Sequence, residues 1–160
     1  MTATRRALLL CLGCLASLTP ALALDQQQAT VVVEIMEAYH ESSGEAVYHG
    51  GAGELYDYDL EGGGAIENAG FTRDEWTLAY DELMAGYFAT IPQAEFDAAF
   101  EAPLAQLQAS TSVTDEMKAV LRQDLLPRIE AARDARRNGA AFAAIVEPFL
   151  PRLHALTLGE

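Results

Sequence analysis

Cysteine is almost missing from this chain of 160 residues: Cys11 and Cys14 are the only two. Both lie in an N-terminal stretch that reads as a removable leader. Arg5 and Arg6 give it a basic start, residues 7–18 an apolar run, and Ala21-Leu22-Ala23 a small-x-small cleavage site. Cleavage after Ala23 leaves one domain, residues 24–160, bound for the periplasm or the exterior and lacking cysteine altogether. Disulfide staples and a cysteine nucleophile are then excluded, so stability has to come from an apolar core. The remaining length suits one such core and no more. Long hydrophobic runs are also lacking. Residues 7–18 are too short to cross a bilayer, so no span is expected after cleavage.

Two variants of the leader compete with this reading. The run Thr4-Arg5-Arg6-Ala7-Leu8-Leu9 partly matches a twin-arginine signal. Leu12-Gly13-Cys14 resembles a lipoprotein cleavage site, although the apolar run before it is short and Cys11 stands where Leu is usual.

Basic residues are scarce where acids are dense. The formal net charge is −14, and removal of Arg5 and Arg6 takes it to −16. Residues 25–116 hold 19 acids and a single base, Arg73, whereas residues 117–160 hold 5 acids and 7 bases. Phosphate binding needs a basic footprint, so a nucleic-acid partner is not expected. The simplest use of the asymmetry is internal, with the Arg-bearing helix lying against acidic neighbours. The alternative is an acidic surface that meets a cationic partner.

Enzyme signatures are absent as well. There is no Gly-x-Ser-x-Gly elbow, phosphate loop, dinucleotide fingerprint or His-Glu-x-x-His. Only His40, His49 and His154 could serve a transition metal, and they are widely spaced. His49 with Glu54 or Asp57 is the one conceivable pairing.

What is present is helical patterning. Phe71-Thr72-Arg73-Asp74-Glu75-Trp76 reads as a helix start: Thr72 and Glu75 form a capping box, and Phe71 can staple onto Trp76. From there Trp76, Tyr80, Leu83, Met84, Tyr87, Phe88 and Ile91 recur at three- and four-residue steps. Thr77, Asp81, Glu82 and Gly86 fall largely off this stripe, and Pro92 ends it. The bland reading is a core helix; Tyr80 or Tyr87 could also line a ligand. Before it, residues 25–41 form a helix with Ala29, Val32, Val33 and Met36 on one side. Its β-branched run Val31-Val32-Val33 lowers intrinsic helicity, so tertiary packing has to support it.

Residues 42–70 differ in material, holding 8 of the 12 glycines. A long loop in a compact domain is usually functional or unstructured. A short β-hairpin is one form open to it, with residues 46–49 pairing with 54–58. Further on, Phe96, Phe100, Leu104 and Leu107 give a third helix with Pro103 inside it. A fourth follows Thr114, with Pro127 inside it, and Asn138-Gly139 as its stop. The last segment should bend at Pro148 and Pro151.

Within the glycine-rich stretch, Asp57-Tyr58-Asp59-Leu60-Glu61-Gly62 resembles the start of an EF-hand calcium loop, with acids at positions one, three and five and Gly at six. Position twelve is Asn68, where a bidentate Glu is needed, and Glu67 comes one place early. Asp57, Asp59 and Glu61 are therefore candidate ligands of a weak calcium-like site and nothing stronger.

The expectation is an all-α bundle of four to five helices with a glycine-rich insertion between the first two. Three functions are consistent with it. The leading one is an exported, non-catalytic binding protein for an unidentified protein or small ligand. The second is a divalent-cation module through Asp57, Asp59 and Glu61. The third is a carboxylate-dependent hydrolase, which requires a concave pocket where residues 42–70 meet the Trp76 helix, together with a carboxyl of raised pKa.

Overall fold

The structure, a computed structural model, describes residues 24–158. The leader reading falls on residues 1–23, outside that range. In chain order the helices are α1 (Gln26–Ser43), α2 (Ala52–Gly62), α3 (Ala65–Asn68), α4 (Arg73–Thr90), α5 (Gln93–Ala109), α6 (Asp115–Asn138), α7 (Ala143–Val146) and α8 (Leu150–Leu158). Tight 3-10 turns at Gly139–Ala141 and Glu147–Phe149 join the last pieces. No strand occurs among the described residues. The fold is all-α, in more segments than expected because α3, α7 and the two tight turns are short pieces.

α4 is the centre. Its capping box is formed: the Glu75 amide donates to the Thr72 hydroxyl, and the Glu75 carboxylate accepts from the Thr72 amide at 2.9 Å. Phe71 lies edge-on to Trp76, ring centroids 6.0 Å apart. Trp76, Tyr80, Leu83, Met84 and Tyr87 are buried as the spacing predicts. Ala79, Ala85 and Gly86 are buried too, so α4 is wrapped on more sides than one stripe. The extra side is the contact with α6 and α7, where only small residues permit approach. Gly86 thus belongs to the packed surface, contrary to its off-stripe position.

α1 starts at Asp25, whose carboxylate accepts the Gln28 amide at 2.8 Å. Val32 and Val33 are fully buried against the core, which offsets their low helix propensity. Arg152 on α8 grips Glu37 on α1 through two charged bonds, the Nε one at 2.6 Å. This guanidinium holds the Glu37 carboxyl below its ordinary value.

The expected hairpin is not formed. Its second strand, residues 54–58, lies inside α2. Leu55 and Ile66 are apolar anchors of helical turns and both are buried. The glycines act between the helices rather than in a sheet: Gly44 closes α1 at φ 70°, and Gly63 and Gly64, at φ 140° and 69°, turn the chain from α2 into α3. The Trp76 indole N–H donates to the Ala52 carbonyl at 2.9 Å and so pins α2 to α4.

Pro103 and Pro127 do not divide α5 and α6. The carbonyls that they leave without an N–H partner belong to Ala99 and Gln123, both exposed and free to bond water. The C-terminal segment passes through a 3-10 turn at Pro148 as expected, but Pro151 does not interrupt it: it sits in the first turn of α8, where its missing N–H costs no helical bond. The charge reading needs revision. On α6, Arg128 pairs with Asp124, Arg133 and Arg137 with Glu130, and Lys118 with Asp115, all on the same helix. Intrahelical spacing satisfies these bases, not acidic neighbours on other elements.

Candidate functional site

α5 and α6 form a hairpin that leaves the body. Between Asp97 and Arg128 no residue is fully buried. At its root α5, α4, the segment 47–49 and Thr157 of α8 line an apolar cleft of about 220 Å³. Four aromatic rings make a ladder along it. His49 stacks near Phe88 (centroids 5.8 Å apart), Phe88 meets Phe96 edge-on (5.4 Å), and Phe96 meets Phe100 (5.0 Å). Val47, Met84, Ile91 and Ala99 complete the apolar lining.

Each wall is positioned by local chemistry. The Tyr80 hydroxyl donates to the Tyr48 carbonyl at 2.8 Å, and the Val47 amide donates to Leu156 O at 3.1 Å. These two bonds fix the 47–49 segment over α4 and α8. Arg136 reaches from α6 to the end of α4, donating to the carbonyls of Phe88 and Ile91, the latter at 2.6 Å. It also lies over the Phe96 ring at 5.1 Å. One side chain thus caps α4, where carbonyls lack partners, and anchors α5.

The polar groups of the cleft sit at its edge. The Tyr87 hydroxyl lies 2.9 Å from Thr157 Oγ1 and 3.0 Å from His154 Nδ1. His154 Nε2 faces Glu95 Oε1 at 3.7 Å. Burial pushes the Tyr87 phenol up, with the Thr157 bond opposing. Tyr48 is bonded to Glu54, and that bond with burial raises its phenol as well.

Asp81 stands apart from the lining. It is half-buried on α4, and its Oδ1 is buried with no hydrogen-bond partner. Burial raises its carboxyl above the ordinary 3.8, and the charge of His49 opposes this. A raised carboxyl binds its proton more tightly in the folded than in the unfolded chain. The folded state is therefore favoured below 3.8, and that benefit is lost as pH rises through the higher folded value. Asp81→Asn, which mimics the neutral acid, should raise the melting temperature by a few degrees at pH 7. The gain should vanish near pH 3. Thermal melts at the two pH values check this, and an equal gain at both would remove burial of charge as the cause.

The acids singled out in the sequence lie elsewhere. Asp57 forms a two-pronged pair with Arg73, one bond at 2.9 Å, and this guanidinium holds its carboxyl below the ordinary value. Asp59 accepts the amides of Ala65 and Ile66 at 3.0 and 2.8 Å, capping α3. Glu61 is exposed near the end of α2. All three are on a helix, where residues two apart point about 200° away from each other, so Asp57 and Asp59 do not converge as alternate loop residues would. No group of three or more His, Cys, Asp or Glu suited to a metal occurs among the described residues. His49 meets neither Glu54 nor Asp57, which bond to Tyr48 and Arg73.

Of the sequence candidates, Tyr87 and His49 reach the cleft and Tyr80 supports it. Phe88, Phe96 and Phe100 were legible only as core positions. The available signal was an excess: α5 carries apolar residues along its whole length, more than one buried stripe needs. No protein family, curated protein or solved structure matches this chain.

Proposed function

We propose that this chain is an exported, non-catalytic binding protein whose cleft between α4, α5 and the 47–49 segment takes a small ligand with an aromatic or apolar body and a cationic end. The observation that carries the reading is the cleft itself: an aromatic ladder with a few polar groups at its edge. Its volume of about 220 Å³ lies below the usual range for drug-sized ligands, which favours a small molecule over a large cofactor. Glu95 at the rim and the net charge of −16 that remains once Arg5 and Arg6 are removed favour a cation.

Titration with tryptamine, indole and indole-3-acetate, followed by NMR, tests this. Tryptamine should bind tightest and indole-3-acetate weakest, with saturable shifts at Phe88, Phe96 and Phe100. Ala99→Trp, at an exposed lining position, should fill the cleft and weaken tryptamine at least tenfold. Absence of saturable shifts with all three probes would end the proposal.

One observation favours a second reading, a carboxylate-dependent hydrolase: the raised carboxyl of Asp81 near His49, where the 47–49 segment meets α4. It predicts turnover of some member of a broad hydrolase substrate panel, and loss of that turnover in Asp81→Asn. A panel without turnover removes it.

A further inference from the structure

Leu24 is held through both its side chain and its backbone. Its side chain is 2% exposed and belongs to the apolar core. Its backbone nitrogen donates to Glu82 Oε2 on α4 at 2.7 Å, across 58 residues of sequence. The next residue, Asp25, already caps α1. The sequence places a small-x-small cleavage site at Ala21-Leu22-Ala23, immediately before Leu24.

We propose that cleavage between Ala23 and Leu24 creates a binding partner for Glu82: the new α-ammonium of Leu24 seats on this carboxylate and locks α1 to α4. Hydrolysis of the Ala23–Leu24 peptide bond adds one water. Ala23 leaves with the carboxylate, and Leu24 gains an amine that is protonated at neutral pH. The neutral amide donor at Glu82 becomes a charged one. Charge-assisted hydrogen bonds are roughly twice as strong as neutral ones, and this one is partly shielded from water. Glu82 has no basic side chain as a salt-bridge partner among the described residues, although Arg73 and Arg152 each hold an acid elsewhere. The ammonium would supply the missing positive charge. Leu24 buried beside the pair gives the lock its register, since a start one residue earlier or later would not bring both the amine to Glu82 and the leucine to the core. Maturation would then strengthen the fold, rather than only detach a leader.

Two measurements test this. The intact mass of the exported protein should correspond to a chain that starts at Leu24. A different start overturns the proposal. Four proteins are then compared by thermal melting: chains starting at Leu24 or at Ala23, each with Glu82 or with Glu82→Gln. Each is made from a fusion whose removal leaves the stated first residue. The Leu24 chain should melt at least about 3 °C above the Ala23 chain. Glu82→Gln should erase most of that difference by lowering the Leu24 chain alone. Equal melting of the two starts, or an equal loss from Glu82→Gln in both, would overturn the lock. N-terminal acetylation of the Leu24 chain should reproduce the Glu82→Gln loss without altering any side chain.

Discussion

Gly139→Ala is expected to cost about 3 kcal/mol or more and to leave the protein barely folded at 37 °C. A Cβ at position 139 would overlap the Ala85 carbonyl and lie 2.9 Å from the Gly86 nitrogen, both α4 backbone. Backbone cannot rotate away as a side-chain tip can, so α4 and α6 would have to part. The same stretch of α4 is also closely packed by the start of α7: a Cβ on Gly86 would stand 2.7 Å from Val146 Cγ2 and 2.9 Å from Phe142 Cβ. Residues 139–146 therefore pack on Ala85 and Gly86 at two adjacent points, so a shift that relieved one would disturb the other. Conformation is not the reason for glycine here. Gly139 has φ −76°, which any residue adopts. Gly62→Ala is the matched control. Nothing lies within 4 Å of a Cβ there, and the site is the last residue of α2. It should be neutral or stabilising by up to about 1 kcal/mol. Urea unfolding of both variants decides the matter, and a Gly139→Ala loss no larger than that of the control would show the crossing to be slack.

This crossing also marks where the sequence could be read and where it could not. The Asn138-Gly139 pair looks like a helix stop, and α6 does end at Asn138. The local signal was right about the boundary and silent about the reason, because close approach is a property of two segments more than fifty residues apart. The same division holds elsewhere. Thr72, Glu75, Phe71 and Trp76 interact within one turn, so their spacing alone predicts the cap and the staple. Residues 42–70 misled because glycine density was taken as loop. The apolar residues within it, Leu55 and Ile66 among them, were the opposing signal, and each anchors a separate helix, α2 and α3. The cleft was the least legible part. Phe88, Phe96 and Phe100 each fit a core stripe, and nothing local says that α5 leaves the body after Phe96, the one buried residue of that helix. Asp81 likewise falls off the apolar stripe of α4, and its burial beside His49 is a long-range feature that its spacing does not announce.

Replacing Trp76 by Ala should cost about 3–5 kcal/mol, a large share of the 5–15 kcal/mol usual for a whole domain. The indole is fully buried between Phe71 (centroids 6.0 Å apart) and Tyr80 (5.7 Å). Truncation removes apolar burial, leaves a cavity and breaks the bond to the Ala52 carbonyl. The last effect separates this site from an ordinary core position. Ala52 opens α2, whose N-terminus has no side-chain cap of its own. α2 should therefore loosen before the rest, and Trp76→Phe should isolate this effect. Phe retains most of the ring volume but cannot donate, so its cost should be nearer about 1 kcal/mol. Hydrogen exchange should then quicken in residues 52–62 while α7 and α8 hold. Urea unfolding gives the two energies, and exchange gives their location. Uniform quickening across all helices in Trp76→Phe would mean that the indole N–H does not hold α2. A loss below about 1 kcal/mol in Trp76→Ala would mean that α4 is not the element on which the other helices close.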